Sequence, residues 1–240
     1  MRRSSKARTI KTLKIDGKDV AAREHETILE LAQENGIFIP TLCHVEGLSE
    51  YGGCRLCMVE VKGSNKLQPA CMTTAREGME VVTDSEKLHG YRTMILDFLF
   101  SERNHVCSVC VSNGHCDLQF MSVKLGMTHI GVPYLNPSVP VDMSHDYFVM
   151  DHNRCILCQR CVRVCDEVEG AATKGVRGRG VNTRIIHDLN QPWGDADTCT
   201  SCGKCVNICP TGALFDKGKS AGEMEKRRDW LPYLTLMRED

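Results

Sequence analysis

Residues 155–165 read CILCQRCVRVC and residues 199–210 read CTSCGKCVNICP, two runs with the same spacing, C-x2-C-x2-C-x3-C. Two-residue gaps let one loop wrap three thiolates around a single inorganic core, with backbone N–H groups turned towards it, and leave the fourth thiol pointing elsewhere. A structural zinc module offers two C-x2–4-C pairs instead. Three evenly spaced cysteines suit one face of an iron–sulfur cubane. Zinc therefore stands as the weaker alternative, a structural or nucleic-acid-binding protein without redox chemistry.

In two-cluster ferredoxins the fourth cysteine of each run ligates the other run's cluster and is followed by proline. Cys209-Pro210 keeps that proline and Cys165-Asp166 does not. On this pattern Cys155, Cys158, Cys161 and Cys209 hold one 4Fe-4S cluster, and Cys199, Cys202, Cys205 and Cys165 a second. Nearer the N-terminus, Cys43-x10-Cys54-x2-Cys57-x13-Cys71 supplies four more thiolates. One loop plus one distant residue is the build of a plant-type 2Fe-2S site, although the first gap there is four residues. Gly52-Gly53 would let the backbone approach the sulfides.

Cys107, Cys110 and Cys116 remain, three ligands where a third 4Fe-4S cluster needs four. Four such sites need sixteen ligands and the chain holds 15 cysteines. The last is expected to be another soft or borderline group, with a neutral imidazole as first choice. His105, two residues before Cys107, is preferred to His115, whose side chain would have to bend back beside that of the adjoining Cys116. Another residue or a three-iron cluster stays open.

These ligands need elements to hold them. A chain of 240 residues suffices for one large domain or two to three small ones, each with a limited apolar core. Aromatic residues are only 5% and sulfur inflates the hydrophobic 42%, so cluster ligation is expected to replace part of the core. TIKTLKI, Asp16-Gly17 and DVAARE read as a hairpin. Thr27 to Glu30 fits a capping box, ILELAQEN follows at helical spacing, and Gly36 ends the helix. MVEVKG at 58–63 and MEVVT at 79–83 read as strands. Asp84 or Ser85 caps a helix through Arg103 with Leu88, Tyr91, Ile95, Phe98 and Leu99 on its core face.

The expected class is α+β. Residues 1–83 carry the 2Fe-2S set and 84–122 the incomplete set. A connector with two glycines and three prolines spans 123–146. The two long motifs occupy 147–220, about 44 residues apart like a duplicated small unit, and 221–240 form a tail.

A formal net charge of −1 gives no excess that would favour nucleic acid or an anionic membrane surface. MILDFLF at 94–100 is far short of the roughly 20 residues that span a bilayer, and MRRSSKAR is followed by no apolar stretch. A cytoplasmic chain is expected, in which closely spaced thiols bind metal rather than pair. No G-x-G-x-x-G follows a strand. ALFDKGKS at 213–220 lacks the first glycine of a P-loop, and GVRGRG at 175–180 reads as a flexible loop. Arg160, Arg163, Lys174, Arg177, Arg179 and the KRR at 226–228 are expected on a solvated face, with docking of an acidic partner as the alternative.

With these four ligand sets in this order, and with IPTLCH, CRLCMVE, DHNRCILCQRCVRVCDE and TSCGKC as they stand, the chain resembles the N-terminal iron–sulfur region of the large complex I iron–sulfur subunit, NAD-dependent formate dehydrogenases and multicluster [FeFe]-hydrogenases. It is most similar to the diaphorase-side γ subunits of the bidirectional NAD(P)-linked [NiFe]-hydrogenases. The resemblance covers nearly all residues up to Ser220. It implies a β-grasp 2Fe-2S ferredoxin-like domain, a small helical domain whose 4Fe-4S cluster has one histidine and three cysteine ligands, and a two-cluster ferredoxin-like domain. The family's histidine commonly lies four residues before the first cysteine of its triplet, where this chain has Arg103. Complex I relatives often lack the second ferredoxin cluster, whose ligands are present here.

A hydride carries two electrons and each cluster exchanges one, so such a chain acts beside a flavin that splits the pair. The resemblance implies an electron relay without a catalytic site of its own. Its partners would be a flavoprotein diaphorase subunit carrying FMN and NAD(P), the small and large hydrogenase subunits and, optionally, a further 2Fe-2S subunit. The equivalent relay of a formate dehydrogenase or an electron-bifurcating [FeFe]-hydrogenase complex is the alternative.

Overall fold

The computed structural model describes residues 10–231; the basic N-terminal stretch and the last nine residues of the tail lie outside them. One compact unit is formed by the chain up to Thr41 together with Cys54–Arg92, the other by Leu42–Gly53 together with the chain from Thr93 on. The 123–146 connector lies inside the second.

In the first unit β1 (Lys11–Ile15) and β2 (Lys18–Ala22) pair antiparallel, with Ile15 opposite Lys18. The reversal falls on Asp16-Gly17, whose φ angles of 51° and 79° meet the demand of a two-residue hairpin. α1 (Ile28–Glu34) starts at the expected capping box: Glu30 N–H donates to Thr27 Oγ1 at 3.2 Å and Thr27 N–H donates to the Glu30 carboxylate at 2.7 Å. β3 (Met58–Val61), β4 (Gln68–Pro69) and β5 (Glu80–Val82) complete a sheet of order β2-β1-β5-β3-β4, in which only β1 and β5 run parallel. β4 is too short to carry an alternating pattern, so nothing in the sequence marks it. Ile28, Leu29, Leu31 and Ala32 of α1 join Leu13, Ile15, Val59 and Val81 in a core that also contains Cys57 and Cys71.

α2 (Glu86–Ser101) begins at Ser85, whose hydroxyl accepts from Leu88 N–H at 3.2 Å, and ends before Arg103. Its buried stripe is Leu88, Arg92 and Leu96. Tyr91, Ile95 and Leu99 are half-buried and Phe98 is 50% exposed, which corrects the apolar face expected from periodicity. The cause is Arg92, a cation that hydrophobic patterning passes over. It donates to the carbonyls of Leu56, Met58 and Thr83 at 3.3, 3.1 and 2.8 Å.

The second unit contains α3 (Asp117–Lys124), β6 (Val141–Asp142), β7 (Phe148–Asp151), α4 (Arg160–Glu167), β8 (Lys174–Arg177), β9 (Arg184–His187), α5 (Lys204–Ile208) and β10 (Leu214–Asp216). β10, β7 and β6 form one antiparallel sheet and β8 pairs with β9. The duplication is visible in the backbone. Leu157 and Gln159 (φ 53° and 57°) lead into α4 as Ser201 and Gly203 (φ 56° and 71°) lead into α5. Left-handed residues in such loops set successive N–H groups on one concave side, and three of these four lack glycine's freedom.

GVRGRG proves to begin inside β8 rather than being all loop, and ALFDKGKS is β10 followed by a turn. Met150, Val164, Ile185, Trp193, Val206, Ile208 and Leu214 pack into one core with Cys155, Cys161, Cys205 and Cys209. Among the described residues no helix is long and apolar enough to cross a membrane.

Replacing Thr27 by Ala removes the hydroxyl that accepts from Glu30 N–H while leaving the backbone bond from residue 27 to the Glu30 carboxylate, and is expected to destabilise the first unit by about 1 kcal/mol, with Thr27→Ser near wild type. Chemical denaturation followed by circular dichroism measures it.

Candidate metal centres

Three cavities of the second unit are each lined by one of the expected ligand sets. Cys155, Cys158, Cys161 and Cys209 wall one small cavity. Cys165, Cys199, Cys202 and Cys205 wall another. His105, Cys107, Cys110 and Cys116 wall a third. The fourth cysteine of each long run thus stands with the other run's first three, because α4 and α5 carry Cys165 and lead to Cys209 across the duplicated unit. His115 is exposed and lines none of the three.

Burial pushes these thiols up, Cys116 and Cys155 to about 12, Cys158 and Cys205 to about 11, and Cys161 well above its ordinary value. His105 goes the other way. Burial, then the charges of Arg154 and Arg103, bring it down to about 4, so the imidazole is neutral. Its ring packs edge-on against Phe100 at 5.4 Å. Its Nε2 is buried without a hydrogen-bond partner among the described residues. A buried orphan nitrogen calls for an explanation, and beside three thiols a metal centre fits it. Neutral imidazole is the ligating form.

In the first unit Cys57 and Cys71 are buried with their Sγ atoms 3.5 Å apart, and Cys54 is half-buried. The hydrogen bond with Cys71 holds the Cys57 thiol below its ordinary value against the effect of burial. Arg92 grips the carbonyls on either side of Cys57, at Leu56 and Met58. Cys43 is buried in the Leu42–Gly53 segment of the second unit, where Arg163 donates to the carbonyls of Cys43 and Ser49. Its membership of the set with Cys54, Cys57 and Cys71 rests on sequence spacing. A Cβ on Gly53 would meet the ring of Tyr51 at 1.9 Å, so a neighbouring side chain explains that glycine.

The basic residues expected on one face are mostly interior. Arg160, Arg163 and Lys174 are buried. Asp117 accepts from Arg160 at 2.8 Å and from Arg228 at 3.1 Å, while its own N–H donates to Pro210 O at 2.8 Å. Arg228 also donates to Cys209 O at 3.1 Å, and Lys226 to the carbonyls of Val206 and Leu214 at 3.0 and 2.7 Å. Only Arg177, Arg179 and Arg227 of that group are exposed. Irregular ligand loops leave carbonyls unpaired and bring thiolates together, and buried cations answer both needs.

Three residues of these sites had no signal in the sequence. Trp193 Nε1–H donates to Cys199 Sγ at 3.3 Å. Thr211 lines two of the cavities and donates to Arg154 O at 2.6 Å. A Cβ on Gly212 would lie 2.5 Å from Cys110 Sγ. Thr211 and Gly212 act on residues distant in the chain, so no local spacing marks them.

Residues 8–86 match the profile of a 2Fe-2S iron-sulfur cluster binding domain, 92–131 that of the NADH-ubiquinone oxidoreductase-G iron-sulfur binding region, and 146–215 that of the ferredoxin-like domain of NADH-quinone oxidoreductase subunit 3. The chain is 33% identical over 204 residues to the gamma subunit of the NAD-reducing hydrogenase HoxS of Cupriavidus necator, covering 85% of this chain and 86% of that one. It is 37% identical over 206 residues to the alpha subunit of the NADPH-Fe(3+) oxidoreductase of Geobacter sulfurreducens, covering 86% of this chain and only 24% of that much longer protein. Other curated relatives are likewise spanned only in part, for 21% to 36% of their length. Among solved structures, a chain in the crystal structure of an NAD+-reducing [NiFe]-hydrogenase in the H2-reduced state matches with a TM-score of 0.81 at 35% identity, over 88% of both chains.

Gly212→Ala sets a methyl group against Cys110 Sγ. The variant is expected to lose about four irons per chain and keep the remainder, as read by iron analysis of the anaerobically purified protein. Iron content equal to wild type would show that Cys110 is not held in place by this approach.

Proposed function

Because the chain belongs to the family of iron–sulfur subunits that includes the gamma subunit of NAD-reducing hydrogenase, we propose that it relays single electrons between a flavoprotein partner working on NAD(P)H and a nickel–iron hydrogenase module. What supports this is that each of three cavities is lined by one of the expected groups of four, with Cys209 brought to Cys155, Cys158 and Cys161, and Cys165 to Cys199, Cys202 and Cys205. Iron–sulfur clusters, when bound, accept and release one electron at a time.

The chain's own residues do the rest. Cys155, Cys158, Cys161 and Cys209 hold one 4Fe-4S cluster, Cys165, Cys199, Cys202 and Cys205 a second, and His105, Cys107, Cys110 and Cys116 a third. Cys43, Cys54, Cys57 and Cys71 hold the 2Fe-2S cluster. Burial of most of these thiols keeps water from the sites. Neighbouring arginines and lysines offset the negative charge that four thiolates bring. All fifteen cysteines are thereby used, so no thiol is left for an open catalytic metal. FMN and NAD(P) are placed on the flavoprotein partner, hydrogen activation on the small and large hydrogenase subunits, and the assembly in the cytoplasm.

His105→Ala is expected to remove or cripple only the third cluster, and His105→Cys to retain it; an unchanged electron paramagnetic resonance spectrum in His105→Ala would take His105 out of the set. For the relay itself, anaerobic affinity purification from the native host with mass spectrometry of the co-purifying chains is the test. A flavoprotein with nickel–iron hydrogenase subunits is the expected result. A molybdenum or tungsten formate dehydrogenase subunit would overturn the hydrogenase assignment while leaving the relay, and a chain that purifies alone with zinc would overturn both.

A further inference from the structure

Lys174 is 3% exposed, an uncommon place for an ammonium group. It opens β8, and the register of the β8–β9 hairpin puts His187 directly opposite. Lys174 Nζ lies 2.7 Å from His187 Nε2 and 3.6 Å from the centroid of the Trp193 ring. The His187 ring stacks on the same indole, 4.8 Å away at 6°. Burial and then the charge of Lys174 bring His187 down to about 3, so it is a neutral acceptor that holds the ammonium in place. Trp193 in turn donates to Cys199 Sγ, and Lys174 and Trp193 both line the cavity of Cys165, Cys199, Cys202 and Cys205.

None of the ion pairs among the described residues includes Lys174. A buried cation without a carboxylate needs another anion. The thiolates of the cavity that Lys174 lines, those of Cys165, Cys199, Cys202 and Cys205, are the anions at hand.

We propose that Lys174, fixed by His187 and Trp193, is a tuning residue that raises the reduction potential of the cluster held by Cys165, Cys199, Cys202 and Cys205. Reduction adds one electron, and so one negative charge, to a centre already made anionic by its thiolates. A fixed cation in the same poorly screened cavity stabilises the reduced form more than the oxidised one. Cation, aromatic platform and N–H···S bond make one stack, so electrons are held more readily at this point of the relay. The inference rests on the iron–sulfur assignment of this cavity.

The test is an electron-paramagnetic-resonance redox titration of the full chain with its clusters loaded, wild type against Lys174→Gln, Lys174→Met and Lys174→Arg. The neutral variants are expected to disfavour reduction of one 4Fe-4S centre at least tenfold, a midpoint about 59 mV lower for one electron, with Lys174→Arg close to wild type. Neutral variants that keep their clusters at the wild-type midpoints would overturn the proposal. If the neutral variants assemble no cluster at this site, Lys174→Arg decides: assembly at the wild-type midpoint supports a requirement for the charge, and failure reveals a merely structural lysine. A wild-type chain without 4Fe-4S signals would instead overturn the iron–sulfur assignment beneath it.

Discussion

A thiol sealed in apolar surroundings cannot hold a negative charge unaided. Cys116 and Cys155 pushed to about 12, and Cys158 and Cys205 to about 11, stay protonated at any physiological pH. They become ligands only when a strongly positive centre takes the proton's place, and the energy of those bonds is then part of the folding energy. In the second unit Cys155, Cys161, Cys205 and Cys209 sit in the same packed cluster as Met150, Trp193 and Leu214. Candidate cluster site and hydrophobic core are one place in a sequence with 5% aromatic residues.

The same constraint orders the surroundings. Arg160, Arg228, Lys226 and Arg163 turn inward to carbonyls of ligand-bearing segments or to Asp117, next to Cys116. Left-handed residues at Leu157, Gln159, Ser201 and Gly203 bend both copies of the loop alike. These are costly conformations for leucine, glutamine and serine. They recur at matching positions because each loop has to curve round a core of the same shape.

The elements most legible in the sequence were those whose cause is local. The Asp16-Gly17 reversal and the Thr27–Glu30 box each depend on residues a few positions apart, and each stands where it was expected. That Cys209 lines a cavity with Cys155 was foreshadowed only by the ferredoxin pattern, and that His105 lines one with Cys107, Cys110 and Cys116 only by counting candidate ligands. What escaped depends on residues far apart in the chain. Arg92 took the middle of the α2 stripe because carbonyls of Leu56, Met58 and Thr83 needed donors. Lys174 reads as one more surface lysine until β9 brings His187 against it. Gly212 matters only because Cys110 packs on it.

The central claim is that all fifteen cysteines and one histidine serve iron–sulfur clusters. Mössbauer spectroscopy of the 57Fe-enriched chain, combined with iron and acid-labile sulfide analysis, tests it most directly. Four clusters predict about fourteen irons per chain with equal sulfide, resolved into one 2Fe-2S and three 4Fe-4S components, one of them with a distinct iron site from its histidine ligand. A colourless chain containing zinc, or iron for the two ferredoxin-type sites alone, would contradict it.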